Sequence, residues 1–362
     1  MKNRIEQLEI KNFKSLKHVN FKCKRINIFI GKPNVGKSNI LEALSLFIAP
    51  NGEHNKKLLE DYVRYENLRN LFFDQDRKNQ IEVITNLGFA SLRFPPDSVS
   101  QYDIMIGPEI GLLKLMKSEE GLINLNDPNS VFSQYINKID TKKSTTKPYY
   151  NWIGEDGKMH QGMYIERGYT TPIKKYHFKS ITNHANRFSL FLRPPFGDNL
   201  YAMLEDNPKL YDECTHFFNE YKLDLLLDTV NEKLEVQKRV GNKVYKIPYS
   251  LAADTLQRYI FYLMAIETNK DSILLFEEPE AHCFPPYIQQ MSQRIIDSEA
   301  NQFFITTHSP FVLNTIIENA KSKDVTVFTA SYKNFQTHIT PLSDKKLSEM
   351  LNYGYDIFSH IK

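Results

Sequence analysis

The chain has 362 residues, is 41% hydrophobic and 25% charged, and carries a formal net charge of +3. Such a composition describes a globular protein of one large or two domains and excludes a disordered or collagen-like chain. The charge is too small to announce a nucleic-acid binder by itself. The opening "MKNRIEQLEI" lacks the apolar core of a signal peptide, and the longest apolar run, "YIFYLMAI", is too short to span a bilayer. Cys23, Cys214 and Cys283 are scattered without metal-ligand spacing, as expected of free thiols in a cytoplasmic protein.

Residues 4–31 read as three short strands, by the alternation of Ile5, Leu8, Ile10 and Phe13, then Leu16, Val19 and Phe21. The third, "RINIFI", runs directly into "GKPNVGKSN", which a meander of this kind would place at the edge of a mixed sheet. Gly31, Gly36, Lys37 and Ser38 meet the pattern G-x-x-x-x-G-K-[ST]. Converging backbone N–H groups cradle a phosphate only where side chains do not block the approach, which glycines permit. Lys37 would reach the β- and γ-phosphates of ATP, Ser38 would ligate Mg²⁺, and Asn34 and Asn39 are counted among the nucleotide contacts. Ile40, Leu41, Leu44 and Phe47 follow at helical spacing, so the loop feeds a helix N-terminus whose dipole favours phosphate.

Further along, "QIEVITNLGFASLRF" is a strand or a strand pair. Over 96–185 the apolar pattern weakens, and "WIGEDGKMHQGMYI" has the turn chemistry of a hairpin at Asp156-Gly157. This segment reads as an inserted subdomain, with 1–95 and 186–362 forming the nucleotide-binding unit. Its Lys147, Tyr149, Trp152, Lys174, Lys175 and Lys179 interleave cations with aromatics. They form either a nucleic-acid surface or a solvated strand face or protein-docking surface. Two helices broken near Pro208 come next, without the heptads of an extended coiled coil.

"SILLFEEPEAH" is an apolar strand ending in acids, and "NQFFITTHSP" is a second strand ending at His308. The helix between them is opened by Pro285-Pro286, so the unit is β-α-β with parallel strands. Ligands collect at the carboxyl ends of such strands. Adjacent strand residues face opposite ways, so Glu277 is assigned to the metal and Glu278 to the attacking water. His308 can donate a hydrogen bond to the γ-phosphate or to the water. After these, "DVTVFTASYKNFQTHITPL" reads as a strand pair and "DKKLSEMLNYG" as a short helix.

Taken in order, "IEQLEIKNFKSLKHVNF…GKPNVGKSN", "LLFEEPEAH" and "ITTHSP" resemble the ATP-binding head of the ABC-ATPase group that contains RecF, SMC-like heads and the overcoming-lysogenisation (OLD) ATPases. The resemblance covers roughly 1–95 and 245–320. It implies an α/β P-loop NTPase with a mixed sheet flanked by helices, using ATP and Mg²⁺. It also implies a homodimer or higher oligomer in which a signature segment completes the partner's site. The candidate signature is "YSLAADTLQRYIFYLMAI", with Ser250 as the hydroxyl and helix N-cap. Ala252 and Ala253 stand where such signatures usually carry glycine. Glu277 replaces the commoner Asp, Phe284 replaces a second His, and only Gln75 or Gln80 could serve as the Mg²⁺-contacting glutamine. The resemblance further implies a switch that controls a separate effector, for example a nuclease in an anti-phage defence module, since too few residues follow His308 for a nuclease domain. The alternative it implies is a RecF-like ATPase that binds DNA.

Overall fold

The computed structural model describes residues 2–51, 56–118, 134, 148–159, 171–184, 186–343, 345–347 and 349. The chain opens with strands β1 (Gln7–Phe13), β2 (Leu16–Lys22) and β3 (Ile26–Ile30), and then helix α1 (Lys37–Leu44). Strands β4 (Ile81–Thr85), β5 (Gly88–Arg93) and β6 (Gln101–Gly107) precede α2 (Ile110–Ser118), β7 (Tyr149–Gly154) and β8 (Ile173–Tyr176). Helices α3 (Leu200–Glu205) and α4 (Pro208–Asn219) lead to β9 (Asp224–Asp228), β10 (Lys233–Val240) and β11 (Lys243–Pro248). Then come α5 (Asp254–Glu267), β12 (Ile273–Glu277), α6 (Pro285–Asp297), β13 (Gln302–Thr306), α7 (Pro310–Asn319), β14 (Val325–Lys333) and β15 (Gln336–Pro341).

These strands form three sheets. An antiparallel sheet runs β2-β1-β4-β5-β6-β7, a second runs β15-β14-β3-β13-β12-β8, and β11-β10-β9 make a small antiparallel sheet. In the second sheet every pairing is parallel except β14 with β15. Its strands are apolar on both faces because both faces are covered. Ile26, Ile28, Ile30, Leu274, Phe276, Phe303 and Ile305 join a core shared with α5, α6 and α7. Phe29, Ile273, Leu275, Phe304 and Phe328 point the other way, into a core shared with α1 and the antiparallel sheet. Phe328, Phe29 and Phe304 stack across three neighbouring strands, at centroid separations of 5.0 and 6.4 Å. The first helix is therefore held between two sheets, which fixes the loop in front of it.

Three expectations change. The phosphate loop leaves from β3, third of six strands, rather than from a sheet edge. The meander of β1 and β2 belongs to the other sheet, because β1 pairs with β4 and the chain crosses between sheets before β3. Nor do the described strands of 96–185 stand apart as an insertion: β6 and β7 extend the antiparallel sheet, and β8 pairs with β12 at the edge of the parallel one. The apolar runs "YDIMI" and "YYNWI" are buried in these sheets, and the weak pattern between them masked this. The hairpin turn at Asp156-Gly157 forms, with Ile153 bridged to Met159. The strand pair after residue 80, the helices divided at Pro208 and the pair formed by β14 and β15 match the sequence reading. Most of the short C-terminal helix lies outside the described residues.

Candidate functional site

The loop 31–36 is shaped by contacts that leave no room for side chains. Gly36 adopts φ +89°, and a Cβ there would lie 2.2 Å from Thr337 Oγ1 and 2.5 Å from Ser15 Oγ. A Cβ on Gly31 would lie 2.5 Å from the Ala330 carbonyl oxygen. Around Gly36 a clasp of hydroxyls closes. Ser15 Oγ lies 2.6 Å from Thr337 Oγ1, Thr337 Oγ1 donates to the Val35 carbonyl at 2.8 Å, and the Asn39 amide donates to Ser15 Oγ at 2.8 Å. Asn39, expected among the nucleotide contacts, thus has its amide in this clasp. Asn34 sits exposed at the loop with φ 61°.

Lys37 is buried, and its Nζ donates to the carbonyls of Gly31 (3.0 Å) and Lys32 (2.8 Å). The ammonium therefore lies inside the loop it follows, where a phosphate-binding lysine belongs. Burial pulls its pKa below the usual lysine value, against the opposing charge of Glu278. The Ser38 hydroxyl lies on the Glu277 side of the loop and helps to hold that carboxyl ionised.

Glu277 closes β12 in register with Thr306 of β13. Arg64 Nη2 reaches its Oε1 at 2.9 Å, and Lys175 Nζ reaches its Oε2 at 3.3 Å. Burial would raise the carboxyl pKa, but Lys175, the Ser38 hydroxyl and Arg64 together hold it below the ordinary value. Both cations are themselves braced. Arg64 Nε donates to the fully buried Glu42 at 2.9 Å, Lys14 also pairs with Glu42, and Lys175 Nζ donates to the Tyr62 carbonyl at 2.7 Å.

The chain turns sharply after β12. Glu278 takes φ 45°, and its backbone N–H donates to the Thr306 carbonyl at 2.9 Å. That turn swings the Glu278 carboxylate away from Glu277 and to within 3.3 Å of His308 Nε2. Both side chains remain open to solvent. The His308 pKa is lowered, by burial first and then by Lys37, with Glu278 opposing. Lys37, Ser38, Glu277, Glu278 and His308 are thus gathered where three adjacent parallel strands, β3, β13 and β12, end. The cradle, a hydroxyl beside a carboxylate, and an ammonium buried in the loop fit a nucleotide with its divalent cation.

Ser250 does not cap a helix. It lies in a 3₁₀ turn, Tyr249–Leu251, and α5 begins only after Ala253, which offers no side-chain cap. The buried Gln257 holds this turn instead, donating to the carbonyls of Ala252 (2.8 Å) and Ser250 (3.3 Å). Thr255 Oγ1 donates to the His282 carbonyl at 2.9 Å, which ties the start of α5 to the loop after the acids.

The described residues of the basic and aromatic set do not form a common exposed surface. Tyr149 is buried, Trp152 donates to the Tyr150 hydroxyl at 2.8 Å, and Lys175 is spent on Glu277. Lys174 Nζ bonds Asn269 at 2.5 Å and lies over the Phe191 ring. Only Lys179 among the described residues of this set is exposed, and Lys147 lies outside the described residues. A strand position that looks solvated in sequence is internal here because β8 is covered by neighbouring elements. Gln75 and Gln80 line an open groove with Lys11, Lys17 and Arg77, and Gln80 bonds Glu82 at 3.2 Å.

Sequence reasoning missed Lys14, Ser15, Glu42, Arg64, Glu280 and Thr337. Glu280 stands inside the motif "FEEPEAH", where the third acid was a usable signal; Arg64 and Thr337 carry no local pattern.

A glycine-shaped loop between a central strand and a helix, with paired acids at the end of the next strand but one, defines a P-loop NTPase of ABC type. A family model for the AAA ATPase domain matches residues 1–259, and the chain belongs to that family. The match includes the phosphate loop and ends ahead of the acids. An ATP/GTP phosphatase of Helicobacter pylori is 22% identical over 348 residues, covering 88% of this chain and 89% of that protein. A protein of Methanocaldococcus jannaschii is 26% identical over 159 residues, covering 41% of this chain and 70% of that one. Among solved structures, an SMC head bound to the C-terminal winged-helix domain of ScpA aligns at 16% identity with a TM-score of 0.47, covering 95% of this chain and 99% of that one. The SMC head domain of Thermotoga maritima aligns at 13% identity with a TM-score of 0.41, covering 94% and 99%. No described helix is long and apolar enough to cross a membrane.

Proposed function

We propose that this ATPase is a nucleotide-driven dimerisation switch that hydrolyses ATP and controls a separate protein effector. The observation that carries the reading is the convergence of Lys37, Ser38, Glu277, Glu278 and His308 on the ends of adjacent parallel strands. Lys37 would bind the β- and γ-phosphates, and Ser38 and Glu277 would hold Mg²⁺. Bound there, the ion would neutralise charge developing on the phosphate oxygens. Glu278, turned out of the strand by its left-handed backbone, would orient the attacking water and accept its proton. His308, neutral near pH 7, would donate a hydrogen bond to the γ-phosphate or to that water.

The switch is supported by exposed apolar side chains that stand close in sequence to candidate site residues. Leu251 follows the candidate signature serine, Phe284 follows the acids and Phe311 follows His308; they are 72%, 57% and 57% exposed. A second copy that brings its Ser250 segment to the bound γ-phosphate would cover them. An effector such as a nuclease, and a role in anti-phage defence, extend the same reading. Cytoplasmic location fits the reduced cysteines. The RecF-like alternative of direct DNA binding loses its candidate surface, since Lys174 and Lys175 are engaged inside the protein.

Glu278→Gln separates binding from hydrolysis. The variant should keep ATP affinity, lose turnover by at least about 100-fold, and accumulate as an ATP-bound dimer seen by light scattering. An unchanged monomer mass at saturating ATP would reject the switch; unchanged turnover would reject the assignment of Glu278.

A further inference from the structure

The hydrolytic site rests on a third acid. Glu280 is 8% exposed, and its Oε1 accepts two hydrogen bonds from the end of β13: Thr307 Oγ1 at 2.6 Å and the His308 backbone N–H at 3.1 Å. Its Oε2 is buried and has no hydrogen-bond partner among the described residues. We propose that Glu280 is a positioning residue for hydrolysis, whose buried carboxylate sets His308 against Glu278. This deepens the hydrolytic reading above and rests on it.

Other bonds hold these loops to their surroundings: Thr307 N–H to the Phe29 carbonyl at 3.2 Å, Ala281 N–H to the Glu278 carbonyl at 3.1 Å and Thr255 Oγ1 to the His282 carbonyl at 2.9 Å; those from Glu280 join the acid loop directly to the His308 loop. After Glu277 the chain leaves β12 in a left-handed turn at Glu278, a conformation costly for a residue with a side chain. One bond, from the Glu278 N–H to the Thr306 carbonyl at 2.9 Å, fixes the start of that turn. Glu280 supplies the next two, from the far side of Pro279. Together the three bonds close a small ring of backbone and side chain around the points where Glu278 and His308 emerge. Within it, Thr307 Oγ1 also accepts from the Ser309 N–H at 2.9 Å, so the brace extends to the residue whose hydroxyl caps α7.

A carboxylate is the strong choice for this task. It is an acceptor at both oxygens, and bonds to an ionised acceptor are stronger than neutral ones. Leaving Oε2 buried without a donor is unfavourable by the same physics. A carboxamide oxygen can also receive both donors, more weakly, so the brace should largely survive that replacement. The shape of the brace matters because His308 and Glu278 stand 3.3 Å apart, close to hydrogen-bond contact. A shift of about 1 Å in such a pair can cost on the order of 100-fold in rate.

The test is steady-state ATP hydrolysis with separate determination of kcat and KM, alongside ATP affinity, for Glu280→Gln, Glu280→Ala and Glu280→Asp. Glu280→Gln keeps one acceptor oxygen for both donors, and should retain at least a third of wild-type kcat. Glu280→Ala removes the brace and should lower kcat at least 10-fold while ATP affinity stays within about threefold. Glu280→Asp withdraws the carboxylate by one methylene and should lower kcat at least fivefold, again with affinity kept; it decides the matter if the alanine variant does not fold. Wild-type kcat in Glu280→Ala or Glu280→Asp overturns the proposal, as does an equal loss of kcat and ATP affinity in all three. A wild-type protein that turns over no ATP, while still binding it through Lys37, instead rejects the hydrolytic reading on which the proposal stands.

Discussion

Gly36→Ala tests whether the clasp around the phosphate loop shapes the nucleotide site. Gly36 has φ +89°, and alanine in the left-handed region costs about 1–2 kcal/mol. The new Cβ would lie 2.2 Å from Thr337 Oγ1 and 2.5 Å from Ser15 Oγ, so both hydroxyls must withdraw. Withdrawal breaks the Ser15–Thr337 bond and the bond from Thr337 to the Val35 carbonyl, each contributing about 1 kcal/mol. The sum is roughly 3–4 kcal/mol. If the loop rearranges to relieve it, ATP affinity falls about 100- to 1000-fold at about 1.4 kcal/mol per decade. If the loop holds, the cost appears as lowered stability and a melting point reduced by several degrees. Calorimetric titration with ATP and a thermal melt read both channels. Adding Ser15→Ala and Thr337→Ala removes the two oxygens, leaving Thr337 Cβ at 3.2 Å as the nearest atom, and should restore about one decade of affinity. A Gly36→Ala protein with wild-type affinity and melting point would refute the reasoning.

Three further outcomes follow from the geometry. Lys175→Met removes a buried cation 3.3 Å from Glu277 while keeping its volume, so half-maximal ATP hydrolysis should need several-fold less Mg²⁺; a higher requirement would show that Lys175 orients the acid rather than competing for it. Phe29→Ala empties the centre of the stack between β14, β3 and β13 and should cost about 3–5 kcal/mol in denaturant unfolding. The His184 pKa is pushed down to about 4 by burial against Tyr249. A base depressed in the fold contributes stability that is complete above its unfolded pKa of about 6.5 and is lost as pH falls toward the folded value. Stability should therefore drop by up to about 3 kcal/mol between these pH values. His184→Leu should flatten that part of the pH profile of unfolding, and an unchanged slope would assign the acid sensitivity elsewhere.

What could be read in advance was whatever has a short-range physical signature. The loop 31–36 declares itself because backbone convergence needs glycine at fixed spacing, and the acids declare themselves because an apolar strand ending in "FEEPE" has few other uses. The partners of these residues come from long-range pairing. Ser15 and Thr337 meet across a sequence separation of 322 residues, and Arg64 and Glu277 across 213. No local pattern marks any of them. The same limit explains the misplaced lysines. Lys174 and Lys175 alternate on β8, a strand whose sequence resembles an exposed edge, yet one is held by Asn269 and the other by Glu277 because β8 closes the parallel sheet beside the acids.

That closure has a consequence for the site's chemistry. The acid chosen for the metal is the one held by cations from both flanks, and the acid chosen for water is the one the left-handed turn frees from them. Glu277 stays ionised through Lys175, Ser38 and Arg64, whereas Glu278 faces a histidine in which burial and Lys37 both disfavour the proton. Two adjacent carboxylates thereby acquire separate roles from one backbone reversal. Glu278→Pro removes the second carboxylate together with the positive φ and the N–H that bonds the Thr306 carbonyl, and should abolish hydrolysis while the Lys37 cradle continues to bind ATP. Loss of ATP binding in a folded Glu278→Pro protein would show that the turn also supports the cradle, and that the division of labour is not local to the strand end.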